Sequence, residues 1–387
     1  MNNAVSLVMT ILLIVNVAPA PSVQSDPVVQ DWGRPTNRFI QIDSGGERTC
    51  ALSANRELYC WGTNLTTTED ILVPTKVNTS RRWSTFSAGG SATCAIDLNR
   101  ALYCWGGSLY GGLGLGDILQ QELPARVGSL SAWSSVSVAN HHTCGILRTG
   151  DLYCWGLNTT VQLGLGDEEN RYVPTQVGAF AKWKAVGTGD QSTCAITVSN
   201  LLYCWGMDGD LGILGIGALP DGEYMVSVPT QVAPTLRWNS VEVGNVFACG
   251  TTTGSALYCW GLNRYGELGL GFPDSTVQNV PARVGYNLQW SQVTVSNGYH
   301  ACGVTTSKAS YCWGMNQRGE LGLGDAIQRS APVPLPIAPA FTSISAGVLH
   351  TCALSSAGGI FCWGYNSDGE LGVNDRITRS TPIPLFP

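Results

Sequence analysis

The string Leu-Tyr-Cys-Trp-Gly occurs five times in this chain, beginning at Leu58, Leu102, Leu152, Leu202 and Leu257, and two close variants follow at Ser310 and Ile360. An active site needs its nucleophile once, so a motif that returns at regular intervals describes architecture rather than chemistry. The cysteine of each copy is the second of a pair. The fourteen cysteines are Cys50/Cys60, Cys94/Cys104, Cys144/Cys154, Cys194/Cys204, Cys249/Cys259, Cys302/Cys312 and Cys352/Cys362, each pair ten positions apart. Segments such as CAIDLNRALYC and CGILRTGDLYC place a polar turn between two short apolar strands. Folded about its middle as a hairpin, each segment sets its cysteines opposite one another, with Cβ atoms about 4.5–5.5 Å apart and near disulfide reach. The spacing therefore predicts seven cross-strand disulfides, each worth roughly 3 kcal/mol at most by loop-closure entropy. A structural zinc site would need four clustered ligands, usually from CxxC pairs, and the chain has no such pair.

The rest of the repeat is as regular. Eleven residues before the first cysteine stand Phe39, Trp83, Trp133, Trp183, Trp238 and Phe341, while Trp290 is displaced by one. From there the pattern alternates, as in WNSVEVG and FTSISAG, which predicts a half-buried strand. After the hairpin comes a glycine-rich loop, NQRGELGLGD in its cleanest form, and then a strand such as PTQV or PARV. Four short antiparallel strands recurring seven times, with no helical period, predict an all-β seven-bladed β-propeller with one disulfide inside each blade. The predicted organisation is a signal peptide over 1–25, an N-terminal segment over 26–38 and a propeller over 39–387. The repeats run over about 39–82, 83–132, 133–182, 183–237, 238–289, 290–340 and 341–387.

Composition narrows the function. Only 12% of residues are charged and 47 are glycine, which suits strands and tight turns. A net charge of −6 with four lysines leaves no basic face to neutralise phosphates, so no nucleic-acid partner is expected. Val5 to Val17 is almost wholly apolar, the length of a leader core and short for a membrane span. Cleavage after Ser25 is preferred over the Ala18-Pro19-Ala20 site, which would leave Pro21 first. The expectation is a secreted monomer with no membrane span in the mature chain.

SAGVLHTCALSSAGGIFCWGYNSDGELGVND closely resembles the regulator of chromosome condensation repeat, whose order is G-x-x-H-T…L-x-x-W-G-x-N-x-x-G-x-L-G-x-G. The resemblance spans about residues 36 to 387 and implies a seven-bladed propeller. It says little about function, because propellers are scaffolds with unrelated tasks. Its members imply three readings: a non-enzymatic binding module for an extracellular protein or glycan, an inhibitor that covers a secreted enzyme's active site, and a guanine-nucleotide exchange factor. Disulfides weigh against the third, since the cytosol and nucleus keep thiols reduced.

Single residues offer no catalytic constellation. His142, His300 and His350 share one repeat column with Arg48, Ala92, Ser192 and Phe247, so they are expected to be structural. Glu267, Glu320 and Glu370 share a GELG position on separate blades, too dispersed for paired acid–base work. Asp117, Asp167, Asp325 and Asp375 follow the LGxG segment, where a short carboxylate caps a turn by accepting N–H bonds. Neither a G-x-S-x-G elbow nor a Walker Lys-Ser/Thr ending is present. No catalytic residue, cofactor or metal site is predicted. Sequons stand at Asn64, Asn78 and Asn158, of which Asn64 and Asn158 occupy a position where the repeat often has Asn anyway.

Loop length points to a binding face. The glycine-rich loop runs 13 residues from Trp61 to Pro74 but 24 from Trp205 to Pro229 and 21 from Trp260 to Pro281; the other four run 19. Scaffold segments hold their length, whereas surface loops vary and commonly carry function. The long loops of blades four and five supply Tyr224, Met225, Tyr265 and Phe272 beside Asp208, Asp210, Asp221 and Glu223, a mixture typical of interface anchors.

Overall fold

In the computed structural model every cysteine pair is in register across its hairpin. Cys50 faces Cys60, Cys94 faces Cys104, Cys144 faces Cys154 and Cys194 faces Cys204. Cys249 likewise faces Cys259, Cys302 faces Cys312 and Cys352 faces Cys362. All seven of these pairs are closed as disulfides, Cys50–Cys60, Cys94–Cys104, Cys144–Cys154, Cys194–Cys204, Cys249–Cys259, Cys302–Cys312 and Cys352–Cys362, each with a Cα–Cα separation of 4.1 Å. The pairing expected from the ten-residue spacing is thus the pairing found. The structure describes residues 38–67, 69–272, 277–336 and 339–385. The predicted signal peptide and all but the last residue of segment 26–38 lie outside the described residues.

Among the described residues, twenty-eight strands form seven separate four-stranded antiparallel sheets, each built from consecutive chain. Blade one comprises β1 (Phe39–Gly45), β2 (Arg48–Ser53), β3 (Leu58–Gly62) and β4 (Ile71–Lys76), in that order across the sheet. The chain is an all-β seven-bladed propeller. The second strand of every blade is buried along its whole length, while the fourth, at the rim, is half exposed. The displacement of Trp290 has a local cause: Ser296 N–H bonds His300 O across the turn, one residue wider than the Gly89–Ala92 turn of blade two.

The apolar cores lie between blades. The described residues form seven clusters, one per seam, as where Cys94, Leu102, Cys104 and Leu113 of blade two pack on Trp133 and Trp155 of blade three. The disulfides belong to these cores: Cys154, Cys204, Cys259 and Cys312 are all completely buried, each on the third strand of its blade. The seventh seam joins the last blade to the first without a shared strand, using Phe39, Trp61, Cys352, Cys362 and Leu371. Among the described residues, this seam is packed by side chains as every other seam is.

The repeated tryptophans divide into two roles. The Trp of six of the seven Cys-Trp-Gly motifs donates its indole N–H to a carbonyl in the preceding blade's glycine-rich loop: Trp155 to Gly112, Trp205 to Gln162, Trp260 to Ile213, Trp313 to Glu267, Trp363 to Glu320 and Trp61 to Glu370, at 2.8–3.0 Å. The LGxG glycine lies flat on that indole. A Cβ on Gly114, at φ 70°, would stand 2.6 Å from Trp155 Nε1, so only glycine fits. The aromatic of the first strand instead packs edge-on against the hairpin's Tyr or Phe and beside the second tryptophan, as Trp238 does with Tyr258 and Trp260.

Candidate functional site

The histidine column clamps one blade to the next, and the glutamate and aspartate columns brace their own loops. His142, His300 and His350 are buried and bond Thr193, Thr351 and Thr49 of the next blade through Nε2 at 2.8–3.0 Å. Burial pushes all three down to about 3, which keeps them neutral. Glu267, Glu320 and Glu370 each turn one carboxylate oxygen back onto the backbone N–H two residues earlier, at 2.6–3.0 Å. Asp117, Asp167, Asp325 and Asp375 accept the N–H two residues on, at 2.9–3.0 Å. Three of these aspartates also hold Arg171, Arg329 and Arg379 at 2.7 Å. None of these groups converges on a common point, and no group of three metal-ligating side chains occurs among the described residues.

The long loop of blade four does form a site. In blades three, six and seven an asparagine latches the loop: Asn158, Asn316 and Asn366 accept from the N–H five residues on and donate Nδ2 to the carbonyl of the following aspartate. Asn263 closes blade five in the same way onto Phe272 O. Blade four has Asp208 in this column. It still accepts from Leu214 N–H at 2.8 Å, but a carboxylate has no proton to close the other side. The main-chain N–H groups of Asp208 and Gly209 turn to Tyr224 O instead, at 2.9 and 3.1 Å. The loop stands open, leaving a cleft of about 360 Å³.

Asp208, Asp210, Asp221, Glu223 and Tyr224 line this cleft, together with Val277 and Asn279 of blade five. Among the described residues, no lysine, arginine or histidine lines it. Burial, joined by the like charge of Asp210, raises the Asp208 carboxyl above the usual carboxylate range. The cleft thus presents acceptors and negative charge beside an exposed tyrosine ring. It is suited to cationic or hydroxyl-rich surfaces and holds no nucleophile–base pair.

The eight residues singled out from loop length are therefore divided. Five share the cleft. Met225 begins the rim strand and pairs with Met207. Tyr265 stacks edge-on against Tyr299 at 5.0 Å, and Phe272 is exposed beyond the cleft wall. Those three are not part of the cleft, because the blade-five loop is latched by Asn263 and turns its aromatics elsewhere. Val277 and Asn279 went unnoticed in the sequence, since they enter only through the packing of one blade on the next. The Asp208 substitution was visible in the repeat column.

The sequons also differ in their surroundings. Asn78 is exposed and Asn64 half-buried, whereas Asn158 is fully buried with its amide nitrogen bonded to Asp167. The folded loop gives a glycan at Asn158 no room.

A second cavity, of about 380 Å³, opens along the first strands, where Gln41, Asp43, Ser87, Glu242 and Gln292 face one another. Asp43 is held by Ala88 N–H at 2.8 Å and by Ser345. Burial and the nearby Asp43 push Glu242 up to about 8.

Seven four-stranded blades, each closed by its own disulfide, define a seven-bladed propeller. The chain belongs to the family of the Regulator of chromosome condensation (RCC1) repeat, whose models match residues 101–146, 149–196 and 310–354 in one form and 39–65, 133–160, 290–320 and 341–370 in another. Among curated relatives it is similar to the probable E3 ubiquitin-protein ligase HERC4 of Mus musculus, 33% identical over 118 residues that cover 30% of this chain and 11% of that protein. It is likewise similar to the ultraviolet-B receptor UVR8 of Arabidopsis thaliana, 29% identical over 32% of this chain and 28% of the receptor. The matched stretch is thus a small part of either relative. Among solved structures, yeast RCC1 (Prp20) superposes with a TM-score of 0.76 at 17% identity, covering 91% of this chain and 84% of that one. The ectodomain of the Physcomitrella patens receptor kinase CR4 gives 0.55 at 19%, covering 85% and 75%. At these identities the superpositions speak for fold alone.

Proposed function

We propose that this chain is a secreted, non-enzymatic binding module that recognises a protein or glycan partner through the loop face of its propeller, at the cleft of blade four. The observation that carries the reading is the cleft itself: the longest loop of the ring, unlatched by Asp208, holds four acidic side chains and an exposed tyrosine around about 360 Å³. Secretion is supported by the pairing of all fourteen cysteines, a state that oxidising compartments sustain. The same state weighs against guanine-nucleotide exchange in the nucleus. No helix among the described residues is long and apolar enough to cross a membrane. Related propellers lend the reading its kind of partner, since the yeast protein Prp20p binds Gsp1p and histones, and CR4 is a receptor kinase with this fold in its ectodomain.

The test is capture from extracellular medium on the immobilised, oxidised ring, followed by comparison of variants. Asp221→Asn combined with Tyr224→Ala is expected to weaken partner binding at least roughly tenfold with an unchanged melting temperature, as for hot-spot side chains on a loop. Retention of full binding by that variant, with loss on altering Phe272 or the opposite face, would place the interface elsewhere.

A further inference from the structure

The seam between blades one and two departs from the other six. At those six, a loop carbonyl of one blade receives the next blade's Cys-Trp-Gly indole, and at four of them it also receives a threonine hydroxyl: Thr143 on Gly112 O, Thr193 on Gln162 O, Thr351 on Glu320 O and Thr49 on Glu370 O. The blade-one loop is six residues shorter than the common length and lacks the Gly-x-Leu-Gly segment. The indole N–H of Trp105 consequently has no partner among the described residues, although the side chain is only 6% exposed. Its ring tilts to 33° from Trp83, where four other blades set the corresponding pair at 63–70°.

A second departure falls at the same place. The clamp column has Arg48 where three blades have histidine. The guanidinium is 5% exposed, and its Nη2 contacts Thr93 Oγ1 and lies 3.4 Å from Cys50 Sγ. Its Nε is buried without a partner, and it forms no ion pair with any described residue. Burial lowers it to about 10, so it stays cationic at neutral pH. A buried cation is costly, and the charge of Asp43, which favours it, offsets only part of that cost. Arg48 and Trp105 both line one cavity of about 280 Å³, whose walls also include Leu65, Val77 and Leu123 with Lys76 and Glu122.

We propose that this seam binds a small carboxylate carrying an apolar group. Its oxygen occupies the place that a main-chain carbonyl holds at the other six seams, receiving the Trp105 N–H and pairing with Arg48. Its apolar part lies against Leu65, Val77 and Leu123, standing in for the leucine of the missing loop segment. Free organic acids and the carboxyl end of a peptide share this chemistry. The site is separate from the blade-four cleft and does not depend on what that cleft binds.

The experiment is a calorimetric and tryptophan-fluorescence titration of the oxidised full chain with N-acetyl-leucine, its uncharged amide and the peptide acetyl-Gly-Gly-Leu. N-acetyl-leucine is expected to saturate one site and the amide to show no saturation. Arg48→His, which restores the residue of three other blades, and Trp105→Phe are each expected to lower affinity roughly tenfold or more, as for a charge-assisted hydrogen bond. Melting curves of both variants verify folding, and either one alone suffices for the comparison. Tighter binding of the peptide by tenfold assigns the site to chain ends; equal binding assigns it to free acids. Absence of saturation, equal binding of the amide, unchanged affinity in a folded variant, or displacement by chloride at matching concentration would overturn the proposal.

Discussion

At the scale of single residues, a tryptophan is repeated faithfully where its N–H is used and loosely where it is not. All seven Cys-Trp-Gly positions are tryptophan, and six of them donate to a carbonyl across a seam. The first-strand column admits Phe39 and Phe341 beside five tryptophans, and the N–H groups of Trp83, Trp133, Trp238 and Trp290 are buried without partners. An unused buried donor is no loss when removed, whereas a stranded carbonyl costs about 1–3 kcal/mol. Trp260→Phe is therefore expected to destabilise by about 1–3 kcal/mol more than Trp238→Phe in chemical denaturation of the oxidised protein. Equal losses would show that ring volume, not the seam hydrogen bond, governs both columns.

At the scale of the element, the glycine-rich loop is held by a buried acid. Glu267 and Glu370 are pushed up to about 7, and Glu320 is also raised, in each case chiefly by burial. Glu267 and Glu320 each leave one oxygen buried without a partner. Blade three shows the neutral equivalent, Gln162, whose Oε1 accepts from Thr160 N–H and Oγ1–H at 3.0 and 2.7 Å. For an acid whose pKa is higher folded than unfolded, the folded state holds the proton more tightly. Its stabilising contribution is complete below about 4.5 and is lost as pH rises towards about 7. Replacing all three glutamates with glutamine should leave stability near the parent at pH 4.5 and raise the melting temperature by roughly 2 °C or more at pH 8. A difference between the two proteins that stays constant from pH 4.5 to 8 would contradict the assigned protonation.

At the scale of the whole molecule, most of the ring was legible in the sequence because each repeat states its own geometry. Cysteines ten apart define a hairpin, the aromatic column defines the strand beside it, and the aspartates after LGxG cap their turns as expected. Features made between blades were less legible. The cleft wall at Val277 and Asn279, and the separation of Tyr265 and Phe272 from the acids, depend on how one blade meets the next. Even so, both unusual sites begin with a charged residue in an otherwise uncharged column, Asp208 where five blades have asparagine and Arg48 where three have histidine. The central claim is that this propeller is an oxidised ring, with each disulfide closed inside its own blade. Its most direct measurement is disulfide mapping by mass spectrometry of protein taken from its native compartment and alkylated before any reduction. All fourteen cysteines should appear in seven linkages of the Cys50–Cys60 type, ten positions apart, with none alkylated. Alkylated thiols in stoichiometric amount, or linkages between blades such as Cys154 to Cys204 or Cys259 to Cys312, would contradict it.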